Sequence, residues 1–260
     1  MKKTLCTLLF GCLIISLWAQ TPTKAPDEKS DTALAALIIN RYLSYVDFTP
    51  TLKDSVLSVV SYIVDREHTE DTMTIYHWYA KDRQLRIEMW QNGELQEGFY
   101  SDGKEFFRMF RPNTRDWAIV SQDNFYDYTI PHDIRGALYD WRSKGAEARY
   151  AGQYNYNGQD VDRIFVTCPD VFDRYYFFET KTGLLFMVTE QDHLYGDAKK
   201  GKSAKKVDWR AWHEFTPFNG FLLPSIESYQ VNQNQIVLIY RHYRTVPYDP
   251  TLFNQDYHKK

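Results

Sequence analysis

The sequence predicts a mainly β protein of the α+β class, with about eleven antiparallel strands and two helices. Aromatic residues, which are enriched in strands, make up 17% of the 260 residues. Runs of alternating apolar and polar residues are separated by short turn sequences such as QNG and SDG. Strands and helices do not alternate along the chain, so a parallel sheet is not indicated.

A secretory signal is predicted over residues 1–20. Lys2 and Lys3 form a basic start, an apolar stretch follows from Leu5 to Trp18, and the small residue Ala19 precedes the expected cleavage site. The apolar stretch is too short and wrongly flanked for a transmembrane helix. The protein is therefore expected to be exported to the periplasm without a stable transmembrane segment.

Lipid anchoring at Cys12 is the alternative to cleavage after Ala19 or Gln20. Leu9 and Gly11 fit a lipidation box, but Phe10 is bulky where a small residue is usual. Apolar residues also continue past Cys12, which favours a cleaved signal.

The mature chain is predicted to have a polar leader (residues 21–30) and a single domain (31–260). Cys168 is its one cysteine, so no internal disulfide is expected. Without Lys2 and Lys3, 29 basic residues face 34 acidic ones. This balance argues against nucleic acid or an anionic membrane as a general partner.

The first element is a helix that Asp31 can cap and Pro50 ends. Its predicted apolar stripe consists of Leu34, Leu37, Ile38, Tyr42, Tyr45 and Val46. About five strands follow, because the apolar period changes to two. Their sequences are SVLSVVSYIVDRE, TMTIYHWYA, QLRIEMW, ELQEGFY and KEFFRMF, before WAIVS.

A second helix is predicted at HDIRGALYDWRSKG (132–145), between Pro131 and Gly145. About six strands come next, with the sequences VDRIFVTC, RYYFFET, LLFMVTE, DWRAWHEF, FLLPSIESYQV and QIVLIYRHYRTV. Pro224 is expected near the start of its strand, after the turn at residues 219–220, where a missing N–H costs little.

Four phrases of the sequence resemble successive segments of a known family. They are YSDGKEFFRMFRPNTRDWAIV, RYYFFETKTGLLF, FNGFLLPSIESYQV and YRTVPYDPTLF. In this order they resemble the outer-membrane lipoprotein carrier family, the LolA-like and LolB-like proteins. The order of elements matches from about Ala33 to Phe253.

The resemblance implies a strongly curved half-barrel, with helices across its concave side and an apolar cavity between them. It also implies a periplasmic carrier that shields the acyl chain of a lipoprotein or lipid. An inner-membrane release complex and an outer-membrane receptor would be its partners. The alternative is an envelope interaction or stress-sensing module of the same fold with a closed interior.

Apolar residues that alternate along four strands are the candidate lipid-cavity residues. They are Leu85, Ile87 and Met89; Phe107 and Met109; Ile164 and Val166; and Leu185 and Met187. Methionine suits such a surface because it adapts to flexible ligands. Ordinary core packing under the helices is the other interpretation, because alternation reports burial and not vacancy.

The family's carriers use a basic residue in an early strand to govern lid closure, and the candidates here are Lys81, Arg83 and Arg86. The family's Arg-Pro pair is absent. A second basic region, the Lys-rich loop at 198–210, is expected to be solvated, with an acidic partner as the alternative. Its basic residues are Lys199, Lys200, Lys202, Lys205, Lys206 and Arg210.

No catalytic role, cofactor or metal site is predicted. The sequence contains no G-x-S-x-G, H-E-x-x-H, phosphate-loop or C-x-x-C motif. Its seven histidines are scattered without the spacing of a metal site.

Overall fold

A computed structural model describes residues 28–65, 72–111, 116–122, 124–125, 133–156, 158–168, 172–189, 209–232, 235–254 and 257. The predicted signal, most of the leader and the Lys-rich loop up to residue 208 lie outside these residues. Within the described ranges, no helix is long and apolar enough to cross a membrane.

The described chain forms one α-helix, α1 (Glu28–Val46), and thirteen strands. The strands are β1 (Ser55–Asp65), β2 (Thr72–Tyr79), β3 (Leu85–Gln91), β4 (Glu94–Ser101), β5 (Phe106–Arg111), β6 (Asp116–Val120), β7 (Glu147–Tyr156), β8 (Gln159–Cys168), β9 (Phe172–Glu179), β10 (Leu185–Thr189), β11 (Trp209–Phe218), β12 (Phe221–Asn232) and β13 (Gln235–Pro247). Short 3-10 helices lie at Thr49–Thr51 and Pro250–Phe253.

All thirteen strands belong to one open, curved antiparallel sheet. Their order is β6-β5-β4-β3-β2-β1-β13-β12-β11-β10-β9-β8-β7. The chain therefore runs from the centre to one edge, crosses to the opposite edge, and returns to the centre, where β13 pairs with β1. The connection between β6 and β7, residues 121–146, is called the crossover segment below.

The predicted fold class is confirmed, and the sheet has two strands more than the approximate number predicted. The prediction of a second helix is wrong, because the described part of residues 132–145 forms successive turns. Gly136, Asp140 and Gly145 have φ values of 69°, 52° and 74°, which a right-handed helix does not contain. The crossover segment must also span the sheet from edge to edge, and turns are more extended than a helix.

The helix α1 is present, and its predicted stripe is correct in part: Tyr42 and Val46 are buried, Ile38 and Tyr45 are partly buried, and Leu34 and Leu37 are exposed. Ala35, Ile39, Tyr42 and Val46 are its buried apolar residues, at positions i, i+4, i+7 and i+11. Leu37 is 66% exposed and lies on the solvent side, where it provides a control position.

Pro224 lies at the fourth position of β12, after the Asn219-Gly220 turn, in which both residues have positive φ. Strand β12 pairs with β13 only from Ile226 onward, so Pro224 has a partner strand on one side alone. A missing N–H is tolerated there, as expected from the sequence. Beyond this point β12 and β13 no longer pair, and side chains connect them: the Tyr243 hydroxyl donates to the Pro224 carbonyl, and Asn219 donates to Thr245.

Candidate functional site

The candidate site is the face of the sheet that α1 covers, called the inner face below. The pairing registers connect the same face across all of the central strands. For example, Ser61 of β1 is opposite Arg241 of β13, and Glu227 of β12 is opposite both Ile239 and Trp212. Side chains at paired positions point to the same side of a sheet, so these residues share the inner face.

One half of the inner face carries an apolar cluster under α1, called the helix-side cluster. Strands β7 to β11, α1 and part of the crossover segment contribute to it. Its buried residues are Ala35, Ile39, Tyr42, Val46, Ala137, Leu138, Trp141, Ala146, Ala148, Ile164, Val166, Cys168, Tyr176, Phe178, Leu185, Val188 and Trp212. A regular helix closes this half.

The other half, mostly on β1 to β4, carries the turn-side cluster. Its buried residues are Phe48, Leu52, Leu57, Val59, Ile63, Ile75, Tyr79, Leu85, Ile87, Met89, Phe99, Phe125, Ile134, Leu223, Val237 and Ile239. Phe125 and Ile134 belong to the crossover segment. The described part of the cover here therefore consists of the segment after α1, a helical turn that includes Phe125, and the turns that follow residue 133.

The crossover segment is fastened mainly through side chains. The backbone N–H of Ile134 donates to the Tyr79 hydroxyl at 3.0 Å. Arg135 pairs with Asp133 at 2.9 Å, and its guanidinium lies 4.8 Å from the centre of the Tyr79 ring. Arg135 also lies 3.7 Å from the ring centre of Tyr139. The ion pair lies within the segment and neutralises the nearly buried Arg135, while the Ile134–Tyr79 hydrogen bond and the Arg135–Tyr79 contact attach the segment to the sheet.

Asp133 and Arg135 both remain charged at neutral pH. The Arg135 guanidinium lowers the pKa of Asp133 despite the opposing effect of burial. Lys144, later in the same segment, donates to the backbone oxygen of Tyr139 at 2.6 Å, and burial lowers its pKa to about 8.

A buried ionic cluster lies on the inner face between the two apolar clusters. Arg210 and Arg241 both donate through Nη2 to the same oxygen, Oε1 of Glu227. Glu227 is fully buried, and its two arginine partners lower its pKa to about 2 although desolvation acts in the opposite direction. Tyr42 of α1 lies close to this cluster. Burial raises the pKa of its hydroxyl, which therefore remains neutral.

Six of the nine predicted cavity residues share the inner face. Leu85, Ile87 and Met89 lie in the turn-side cluster, and Ile164, Val166 and Leu185 lie in the helix-side cluster.

The other three predicted cavity residues lie on the opposite, outer face. Phe107 stacks on Tyr100 with a 4.4 Å centroid separation, and the register places Met109 on the same side. Met187 packs in a separate outer cluster with Phe177, because an irregularity between Leu185 and Met187 breaks the alternation. The prediction that all nine residues form one surface is therefore wrong for these three.

The candidate gating residues lie outside the inner face. Lys81 and Arg83 are in the β2–β3 turn, and Arg83 pairs with Asp140 of the crossover segment at 2.7 Å. Arg86 lies buried on the outer face, where it pairs with Glu88 and donates to the backbone of the C-terminal segment. Only Arg83 therefore contacts the described part of the cover.

The ionic cluster and the Asp133–Arg135 pair were not predicted from the sequence. A signal for Arg241 was present, because it occupies an apolar phase of its strand, between Ile239 and Tyr243. Arg210, which was expected in a solvated loop, lies in β11 with a side chain that is 18% exposed. Within the described residues, no group of three or more His, Cys, Asp or Glu side chains could hold a metal ion.

An open, curved antiparallel sheet with a helix and a crossing segment on one face is the LolA-like class of fold. The chain is similar to a LolA superfamily protein from Nitrosomonas europaea, with 12% identity, a TM-score of 0.58, and coverage of 86% of this chain and 98% of that one. The predicted resemblance is confirmed at the level of the fold.

Two further solved structures share this fold. An outer membrane lipoprotein-sorting protein domain from Vibrio parahaemolyticus is 10% identical, with a TM-score of 0.55 and coverage of 90% of this chain and 100% of that one. A DUF1329 family protein from Desulfovibrio piger is 11% identical, with a TM-score of 0.51 and coverage of 85% and 97%. No family model and no curated protein matches the sequence.

Proposed function

We propose that this protein binds the acyl chain of a lipid or lipoprotein on the inner face of its sheet and carries it through the periplasm toward the outer membrane. The observation that carries the proposal is the turn-side cluster, a continuous apolar surface whose described cover is partly a turn segment fastened by side chains. The similarity in fold to a lipoprotein-sorting domain supports the same class of ligand. Exported carriers of this class need no cofactor, and the proposal assigns none.

Binding on this face requires the crossover segment to move. Val59, Ile87 and Phe99 have no solvent exposure, so an acyl chain could reach them only after the cover separates from the strands. Separation exposes apolar area, and an acyl chain that covers the same area offsets that cost. The hydrogen bond from Ile134 to the Tyr79 hydroxyl and the contact of Arg135 with the Tyr79 ring must be released.

The same complete burial favours the second candidate function, an envelope interaction module with a permanently closed interior. In that case the turn-side cluster is ordinary core and the crossover segment is a fixed part of it. The two functions differ in one measurable property, which is the uptake of an acyl chain.

The test is native mass spectrometry and lipid extraction of the protein purified from the periplasm of a bacterial host, followed by titration with a fluorescent fatty acid. We expect about one acyl chain per protein. The double variant Leu85→Arg, Ile87→Arg should lose it, and Met89→Trp should weaken binding by filling space without adding charge. Leu37→Arg, at the exposed side of α1, is the matched control and should bind as the wild type does.

Circular dichroism establishes that each variant retains the β fold. A wild-type protein that contains no lipid and takes up no fatty acid would eliminate the carrier function and leave the closed module. Equal loss in the Leu37→Arg control would show that the assay reports stability and not the inner face.

A further inference from the structure

Arg241 provides buried hydrogen-bond donors that the described protein does not use. Its side chain is only 2% exposed, and Nη2 donates to Glu227. Nε and Nη1 are buried, and neither has an acceptor within the described part of the chain. Buried donors without acceptors are rare in folded proteins, and they are most costly on a charged group.

The ionic cluster consists of two guanidinium groups and one carboxylate. Arg210 and Arg241 share the single carboxylate of Glu227, so the three side chains carry one net positive charge. The other described buried pair on this face, Asp133 with Arg135, is neutral overall. A buried excess cation is stabilised by an anion placed beside it.

Glu227 limits where such an anion can lie. Its second oxygen, Oε2, is buried without a partner in the described residues, and it is ionised. It repels an anion on its own side, so the favourable approach is to Arg241 donors that do not face Glu227. Nε and Nη1 point to different edges of the guanidinium, and neither donates to Glu227.

The cluster also borders the apolar surface proposed for the acyl chain. Arg241 is on β13 between Ile239 of the turn-side cluster and Tyr243, which packs against that cluster. It is the first β13 residue past the last register pair between β12 and β13, Ile226 with Tyr240. Ser225 Oγ, on the part of β12 that does not pair with β13, is likewise buried without a described partner.

We propose that the ligand is an anionic amphiphile whose oxyanion headgroup, a carboxylate or a phosphate, accepts hydrogen bonds from the unused N–H groups of Arg241. This inference rests on the proposed function, because the acyl chain occupies the turn-side cluster and thereby brings the headgroup to the ionic cluster. The headgroup reaches Arg241 along the inner face, because Ile239 and Tyr243 of the same strand border that residue and belong to or pack against the turn-side cluster. Charge-assisted hydrogen bonds to a buried guanidinium make the anionic ligand bind more tightly than a neutral ligand with the same chain.

The experiment compares matched ligand pairs that differ only in headgroup charge. Oleate is compared with methyl oleate, and monooleoyl glycerol phosphate with monooleoylglycerol, by calorimetry on the wild type, Arg241→Gln and Arg244→Gln. Arg244 is the matched control, because it lies on the same strand but faces the outer side with Ser58. We expect the wild type to prefer at least one anionic ligand by about tenfold to a hundredfold.

Arg241→Gln should reduce that preference to near onefold while binding of the neutral ligand remains, and Arg244→Gln should retain it. Whichever pair shows the preference identifies carboxylate or phosphate. Equal binding of charged and neutral ligands by the wild type would overturn the headgroup site and leave the carrier function intact. Absence of binding by all four ligands would overturn the carrier function itself.

A preference that survives in Arg241→Gln would also overturn the assignment to Arg241. Arg241→Lys, which keeps the charge and part of the donor set, should retain an intermediate preference. Because the wild-type comparison needs no variant, the inference remains testable if Arg241→Gln does not fold.

Discussion

The two halves of the inner face have similar apolar surfaces but different covers. Over β7 to β11, α1 supplies a helix whose backbone hydrogen bonds are internal, and it contributes four buried side chains. Over β1 to β4, the described cover includes a turn segment attached to Tyr79 through Ile134 and Arg135, with Asp133 neutralising Arg135 inside the segment. A segment with few backbone hydrogen bonds of its own can separate at lower cost than a packed helix. We therefore expect the cover of the helix-side cluster to stay in place and the cover of the turn-side cluster to open.

The largest expected effect comes from removing the partner that neutralises Arg135 inside the turn segment. Asp133→Asn leaves Arg135 as a buried charge without its partner, which costs about 3–5 kcal/mol. Amide exchange of residues 133–146 should accelerate by about a hundredfold or more, whereas exchange in residues 35–46 of α1 should not change.

The control for this variant is Asp140→Asn in the same segment. Asp140 pairs with Arg83, but both side chains are partly exposed, so the loss should be below about 1 kcal/mol. Acceleration that spreads equally into α1 would show that the two covers open together, contrary to the comparison.

A smaller effect is expected from weakening the helix-covered half. Ile39 has no solvent exposure, and Ile39→Ala should lower the free energy of unfolding by about 2–5 kcal/mol. Urea denaturation measures this loss, and Leu37→Ala on the exposed side should change it by less than about 0.5 kcal/mol. Acyl-chain binding should survive in Ile39→Ala under conditions in which the protein is folded. Loss of binding there would place the ligand under α1.

The smallest effect concerns the boundary between the halves and depends on pH. The folded-state pKa of Glu227 is about 2, below its ordinary value of 4.5, so its contribution is fully present above about pH 4.5. As pH falls from 4.5 toward 2, the carboxylate is protonated and roughly 1.5–3 kcal/mol of stability should be lost. Because the pKa of Asp133 is also lowered, the difference between the wild-type and Glu227→Gln profiles isolates this contribution. Parallel profiles for the two proteins would contradict it.

The sequence predicted the elements of this fold better than it predicted their faces. Period-two alternation and turn residues such as Asn92-Gly93 indicate strands and hairpins, because both signals are local. Whether Phe106 or Phe107 faces inward depends on the register with neighbouring strands, and both phases of that strand contain apolar residues. The predicted helix had apolar residues at Ile134, Leu138 and Trp141, a helical spacing that also suits turns crossing a sheet.

The ionic cluster could be predicted only in part. A charged residue in an apolar phase, as at Arg241, indicates a buried charge but not its partner. Its partner Glu227 lies on β12, and Arg210, which shares that partner, lies on β11. Strand order and bulges bring the three residues together, and the local sequence of a single strand specifies neither strand order nor the bulges of its neighbours.

The position of β1 beside β13 has a consequence for how the protein acquires its structure. Ser55 pairs with Pro247, so the central strand pair joins residues that are almost the full domain apart in sequence. Contacts of such high sequence separation are expected to form late and slowly, after local hairpins on either side. A chain that lacks its final strand therefore cannot complete the sheet, since β13 is the strand that joins the two halves. The central part of the sheet is expected to form only once the residues up to Pro247 are available.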